Sequence, residues 1–224
     1  SIKTTKVPLT QPKQTMKNVC VEKTIKFSTI SCKTDSLPRM QLSELNFNSR
    51  HGFLEKMKRH SYVIVRDHSK KVESSYLDLM AEMVDFFQLS DLSEKQKCIG
   101  QMYFNERGIP MWKSGYEKCG EVREAFRVNV GNIEEITWPN EKVRKTLEKV
   151  VKYCRTVTDQ ALSLIVGYKV ERPENTKRDD FSVCYSLHYP NDQKSNKELN
   201  VGEHVDPSLF VIEPCCGVPG LEVF

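Results

Sequence analysis

No apolar run in the sequence reaches eighteen residues and no secretory h-region opens it, so neither a membrane-spanning helix nor export is expected. Cysteine pairs of the CxxC kind are also missing. The eight cysteines, Cys20, Cys32, Cys98, Cys119, Cys154, Cys184, Cys215 and Cys216, follow no regular spacing. That pattern argues against a zinc ribbon or a disulfide framework and leaves reduced thiols in a cytoplasmic protein as the expectation. Residues 1–35 contain no arginine and only two acids, Glu22 and Asp35, against seven lysines. Scarce acids suit a transit peptide, but without arginine or an amphipathic period the segment reads as a solvated, flexible tail. The tail holds a charge of +5 (seven lysines less two acids), while the whole chain is +4, so the body sums to −1. A body of that charge offers no electrostatic footprint for nucleic acid.

What remains is an ordinary globular composition, 38% hydrophobic and 29% charged over 224 residues, enough for one domain with a substantial core. The β-branched "SYVIVRD" at 61–67 predicts a strand. "SSYLDLMAEMVDFFQLS" predicts a helix, with Tyr76, Met80, Met83, Val84 and Phe87 as its packing stripe. Residues 96–137 are weakly patterned and read as loops, with Trp112 and Tyr116 as loop aromatics packed on the body. A long helix is predicted from 141 to 166, with Asn140 capping its start and Gly167 ending it. "FSVCYSLHYP" alternates apolar and polar residues over 181–190 and predicts a strand ended by Pro190. Two more strands are expected in "HVDPSLFVIEP" and "GLEVF", after a polar loop at 191–200. Helices followed by strands give an α+β expectation, a helical and mixed region packed on a partial jelly roll. The expected segments are a tail at 1–35, an N-terminal region at 36–135, and a long helix with the first jelly-roll strands at 136–224.

His204 and Asp206 stand two residues apart, a spacing that puts both side chains on one face of an extended strand. An imidazole and a carboxylate side by side are two ligands for one metal ion. Taken by itself the triplet favours a surface histidine beside a solvated aspartate. Its place, after a loop and opening an apolar strand, favours ligation, since rigid scaffolds present ligands at such positions.

From here the motifs resemble a family. "HVDPSLFVIEPCCGVPGLEVF" resembles the H-x-D strand of the iron(II)/2-oxoglutarate-dependent dioxygenases, in the branch that includes isopenicillin N synthase. Gly220-Leu221-Glu222-Val223 resembles that branch's Gly-Leu-Gln-Val strand, with Glu for Gln. "SYVIVRDH" is similar to its strand ending in Asn-His, "FFQLSDLSEKQK" to its Phe-Phe helix end with a following Glu-Lys, and "SLHYP" to its Asn-Tyr-Tyr-Pro strand. The shared order spans about residues 55–224.

The resemblance implies a double-stranded β-helix and an oxidoreductase that hydroxylates or desaturates a small organic molecule with dioxygen. Fe(II) would be held by His204, Asp206 and a second histidine, with 2-oxoglutarate as cosubstrate and Tyr189 in contact with it. Leu187 stands where the family has Asn, and His188 where it has the first Tyr. No His or Arg follows His204, so the family's second His and its Arg-x-Ser pair have no counterpart here. The chain is therefore expected to be the N-terminal portion of such an enzyme, holding iron weakly by itself. Two other readings stay open: a non-catalytic scaffold of this fold, and an oxidase or cyclase that needs no 2-oxoglutarate.

Overall fold

A computed structural model describes residues 2–4, 37–89, 91–105, 107–111, 113–120, 123–172, 180–190, 201–204, 206, 208–214 and 221–223. In chain order its elements are β1 (Ile2–Thr4), β2 (Arg39–Gln41), α1 (Arg50–His60), β3 (Ile64–Arg66), α2 (Glu73–Phe87), α3 (Leu92–Gln96), β4 (Gly115–Cys119), β5 (Arg123–Asn129), α4 (Glu141–Val166), β6 (Val183–His188), β7 (Val201–His204) and β8 (Leu221–Val223). The α+β expectation holds at that level. The chain divides into two compact units, Ser1–Leu37 with Gln193–Phe224, and Pro38–Asp192.

In the larger unit α4 is the organising element. Asn140 adopts extended backbone and its side chain accepts from the Val143 amide at 2.8 Å, satisfying one of the donors a helix start leaves orphaned. Gly167 ends the helix at φ +85, a left-handed conformation that glycine adopts without strain. Arg50 of α1 then donates to the carbonyls of Leu164 and Ile165, at 2.7 and 3.2 Å, closing the C-terminus. Val143, Leu147, Val150 and Val151 bury one face of the first half of α4. Together with Leu79, Met83, Phe86 and Phe87 of α2 they cover Tyr116, Phe126 and Val128 of the antiparallel sheet β4–β5–β6. The second half of α4, through Leu164, Val157 and Ala161, packs with Phe53 of α1 and with the parallel pair β2–β3 through Met40 and Val65.

Several expectations need correcting. β4 and β5 lie inside the stretch read as loops, and Tyr116 is a buried strand residue, edge-to-face with Phe86 at 5.8 Å. The stripe of α2 runs through Leu79, Met83, Phe86 and Phe87, whereas Met80 and Val84 face solvent. In β6 the apolar series faces outward: Tyr185 and Leu187 are 44% and 45% exposed. The polar series turns inward because Cys184 and Ser186 are small enough to sit opposite Val128 and Phe126.

The smaller unit holds an antiparallel sheet in the order β7–β1–β8, with Ile2 opposite both His204 and Val223. Thus Ile2–Thr4, within the segment read as a flexible tail, forms a strand. β8 falls in "GLEVF" as expected, but residues 208–214 are irregular rather than the strand expected there, and Pro207 and Pro214 bracket that stretch in the sequence. The 191–200 loop, Trp112, Cys215 and Cys216 lie outside the described residues. Among the described residues no helix is long and apolar enough to cross a membrane.

Candidate functional site

β7 ends at His204, and Asp206 follows two residues later. The two side chains converge: His204 Nε2 stands 3.4 Å from Asp206 Oδ1, with both groups partly open to solvent. Two donors at 90° around a shared ion, each about 2.1 Å from it, stand about 3.0 Å apart. A small rotation of either side chain therefore brings the pair to ligating separation. The same distance lets Asp206 accept a hydrogen bond from Nε2–H, so a metal ion and a proton compete for this position. The donor types fit two coordination positions of a divalent ion. No cluster of three or more His, Cys, Asp or Glu side chains suited to a metal occurs among the described residues, so the pair alone does not complete a cage.

Glu213 is a neighbour that the sequence reading missed. Its residue is exposed as a whole, yet its carboxyl is crowded enough that desolvation, followed by the charge of Asp206, raises its pKa. It lies seven residues beyond Asp206 in irregular chain, where no periodicity could have pointed to it.

Tyr189 belongs to the larger unit. The β5–β6 register pairs Glu124 with His188 and Ala125 with Leu187. Extending it by one residue sets Tyr189 opposite Arg123, which on its other side faces Cys119 of β4. Facing residues share a side of the sheet, so Cys119, Arg123 and Tyr189 form a row across three strands. Arg123 donates from Nη2 to Cys119 Sγ at 3.3 Å and also hydrogen-bonds the Tyr189 side chain. Arg127, beyond Ala125 on this face, pairs with Glu117 at 3.1 Å and lies 4.8 Å over the Tyr185 ring. Leu187 lies on the same face and adds no hydrogen-bonding group where the dioxygenase pattern has an amide.

On the opposite side of the sheet sits a second constellation that sequence reasoning missed. Lys95 of α3, only 5% exposed, donates to the Phe87 carbonyl at 2.6 Å and to both Glu124 oxygens at 3.1 and 3.2 Å. Tyr116 donates to Glu124 Oε1 at 2.7 Å, and His188 Nδ1 lies 3.2 Å from Oε2 with its ring stacked on Phe87. Burial opposes ionisation of Glu124, but the bonds from Tyr116, Lys95 and His188 outweigh it and hold the carboxyl below its ordinary value. Every oxygen of the carboxylate is thus engaged, which marks the group as a clasp joining α2, α3 and the sheet. Beside it a cleft of about 290 Å³ is lined by Leu92, Gln96, Ile99, Tyr116 and Lys118 among others.

Compared with known proteins, the chain matches no family model, no curated protein and no solved structure. The geometry of the two faces and of the H-x-D pair is therefore what a functional reading has to stand on.

Proposed function

We propose that the protein is a non-haem Fe(II)- and 2-oxoglutarate-dependent oxidoreductase, acting with dioxygen on a small organic molecule in the cytoplasm. His204 and Asp206 are two of its three protein ligands. The observation that carries the reading is the 3.4 Å approach of the imidazole and the carboxylate just past the end of β7. The family's third ligand is a second histidine, and no histidine follows His204 in this sequence. When bound, the iron supplies oxidation of a substrate C–H bond together with dioxygen and 2-oxoglutarate. This chain's contribution is placement. As ligands, Asp206 would offer a carboxylate oxygen and His204 its Nε2 lone pair. Tyr189, held in the row with Arg123, is the cosubstrate contact.

The test is succinate formation from 2-oxoglutarate by the complete gene product with Fe(II). His204→Ala and Asp206→Ala should each abolish it, and succinate formed at the wild-type rate by either variant refutes the assignment. A second reading draws on Leu187, exposed and without a polar group: a protein of this fold that binds ligand without 2-oxoglutarate turnover. Iron binding without succinate formation in the wild type selects it.

A further inference from the structure

The outer face of the β4–β5–β6 sheet carries a charge that its neighbours do not balance. Among the described residues Arg123 has no ion pair with a carboxylate. The side chains it meets are the Cys119 thiol and the Tyr189 phenol, neither of them a carboxylate. Glu117, on the same face of the adjoining strand, is committed to Arg127. A partly buried guanidinium is costly to leave without a counter-charge, and here the sheet fixes its direction through the row Cys119, Arg123, Tyr189. A guanidinium carries five N–H donors in a rigid fork. The thiol and the phenol together do not exhaust them. Diagonal to the fork across the β5–β6 pair lies exposed Leu187, while Ala125 between them is buried. A charged fork with an exposed leucine beside it matches a short-chain carboxylic acid: the head meets the fork and the methylenes lie against Leu187.

We propose that Arg123, oriented by Cys119 and Tyr189, binds the carboxylate of a small organic acid on this face. Naming 2-oxoglutarate as that acid rests on the proposed function, whereas the binding itself does not. Arg123 is new to the reading, since the family resemblance had pointed only to Tyr189 and to an arginine without counterpart in this sequence.

The experiment is calorimetric titration of the 224-residue chain with 2-oxoglutarate, butyrate and inorganic phosphate in the presence of EDTA. The expected order of affinity is 2-oxoglutarate, then butyrate, then phosphate. Arg123→Gln should weaken 2-oxoglutarate at least about tenfold, the scale of a lost charge-assisted bidentate contact, and Arg123→Lys should recover part of it. Lys58→Gln, on the exposed face of α1, should leave it unchanged. An NMR measurement guards against misfolded variants: the Arg123 Nε–H signal, assigned through Arg123→Lys, should shift on adding 2-oxoglutarate to the wild type. Wild-type affinity in Arg123→Gln, phosphate binding as tightly as 2-oxoglutarate, or a stationary Arg123 signal each overturns the proposal. Failure here with iron-dependent succinate formation intact removes this site and leaves the proposed function standing. Binding here without turnover in the complete gene product does the reverse.

Discussion

Replacing Glu124 with Leu tests whether the inner clasp holds the larger unit together. The substitution leaves the Lys95 ammonium, 6% exposed at its side chain, with the Phe87 carbonyl and the face of the Tyr116 ring but no counter-charge among its described partners. It also takes the acceptor from Tyr116 and from His188 Nδ1. Breaking a buried pair by deleting one partner costs about 3–5 kcal/mol, and an orphaned Tyr116 hydroxyl adds about 1 kcal/mol. Against a domain stability of about 5–15 kcal/mol, Glu124→Leu should be marginally folded at 25 °C. Lys95→Met should cost less, about 1–3 kcal/mol, because Tyr116 and His188 continue to satisfy Glu124. The double variant should recover most of the loss, since apolar replacement of a whole buried pair is often close to neutral. Urea unfolding of all four proteins closes the cycle. The reasoning fails if Glu124→Leu costs under about 1 kcal/mol, or if the two single losses simply add in the double variant.

Three further outcomes are expected. At the ends of α4, Asn140→Ala should cost about 1 kcal/mol by removing the cap on Val143. Gly167→Ala should cost a similar amount, about 1 kcal/mol, through its positive φ and the Arg50 guanidinium, 3.3 Å from where a Cβ would sit; thermal melts read both. Hydrogen bonds from Ser69 and then Tyr153 hold Asp67 below its reference value of 3.8. A depressed acid contributes stability present above that value and lost as pH falls through the folded one. Acid titration of Tyr153→Phe should therefore show a shallower loss below about pH 4; an unchanged acid limb would contradict the assignment. Burial lifts the Cys184 thiol to about 12 and raises Cys154 as well, so both should resist alkylation in the native protein and react on unfolding, as mass mapping would show. Fast native labelling at either position would contradict the shielding of these partly buried thiols.

The long helix was readable because Asn140, a continuous apolar stripe and Gly167 all agree. In β4 and β5 the signals conflict. Lys118 and Glu124 occupy inward positions in the register with Tyr116, Phe126 and Val128. Lys95, on a helix twenty-nine residues earlier, with Tyr116 and His188, makes a carboxylate tolerable there, and no local pattern can encode that. β6 kept its period, and alternation fixes that two faces differ but not which one meets the helices, which is here the polar series. His204 and Asp206 approach each other at 3.4 Å because they are neighbours in sequence, although Asp206 lies beyond the end of β7 rather than on one strand face with His204. Arg123 beside Tyr189, and Glu213 near Asp206, depend on chain separated by a strand or an irregular segment, and so became visible only in three dimensions.

The iron reading is tested most directly by an anaerobic equilibrium titration of the complete gene product with Fe(II), alongside His204→Ala and Asp206→Ala. One iron per chain is expected in the wild type, with the affinity of each variant at least about a hundredfold lower, the upper end of what even supporting residues of a metal site cost. Iron bound by either variant as tightly as by the wild type would contradict the account.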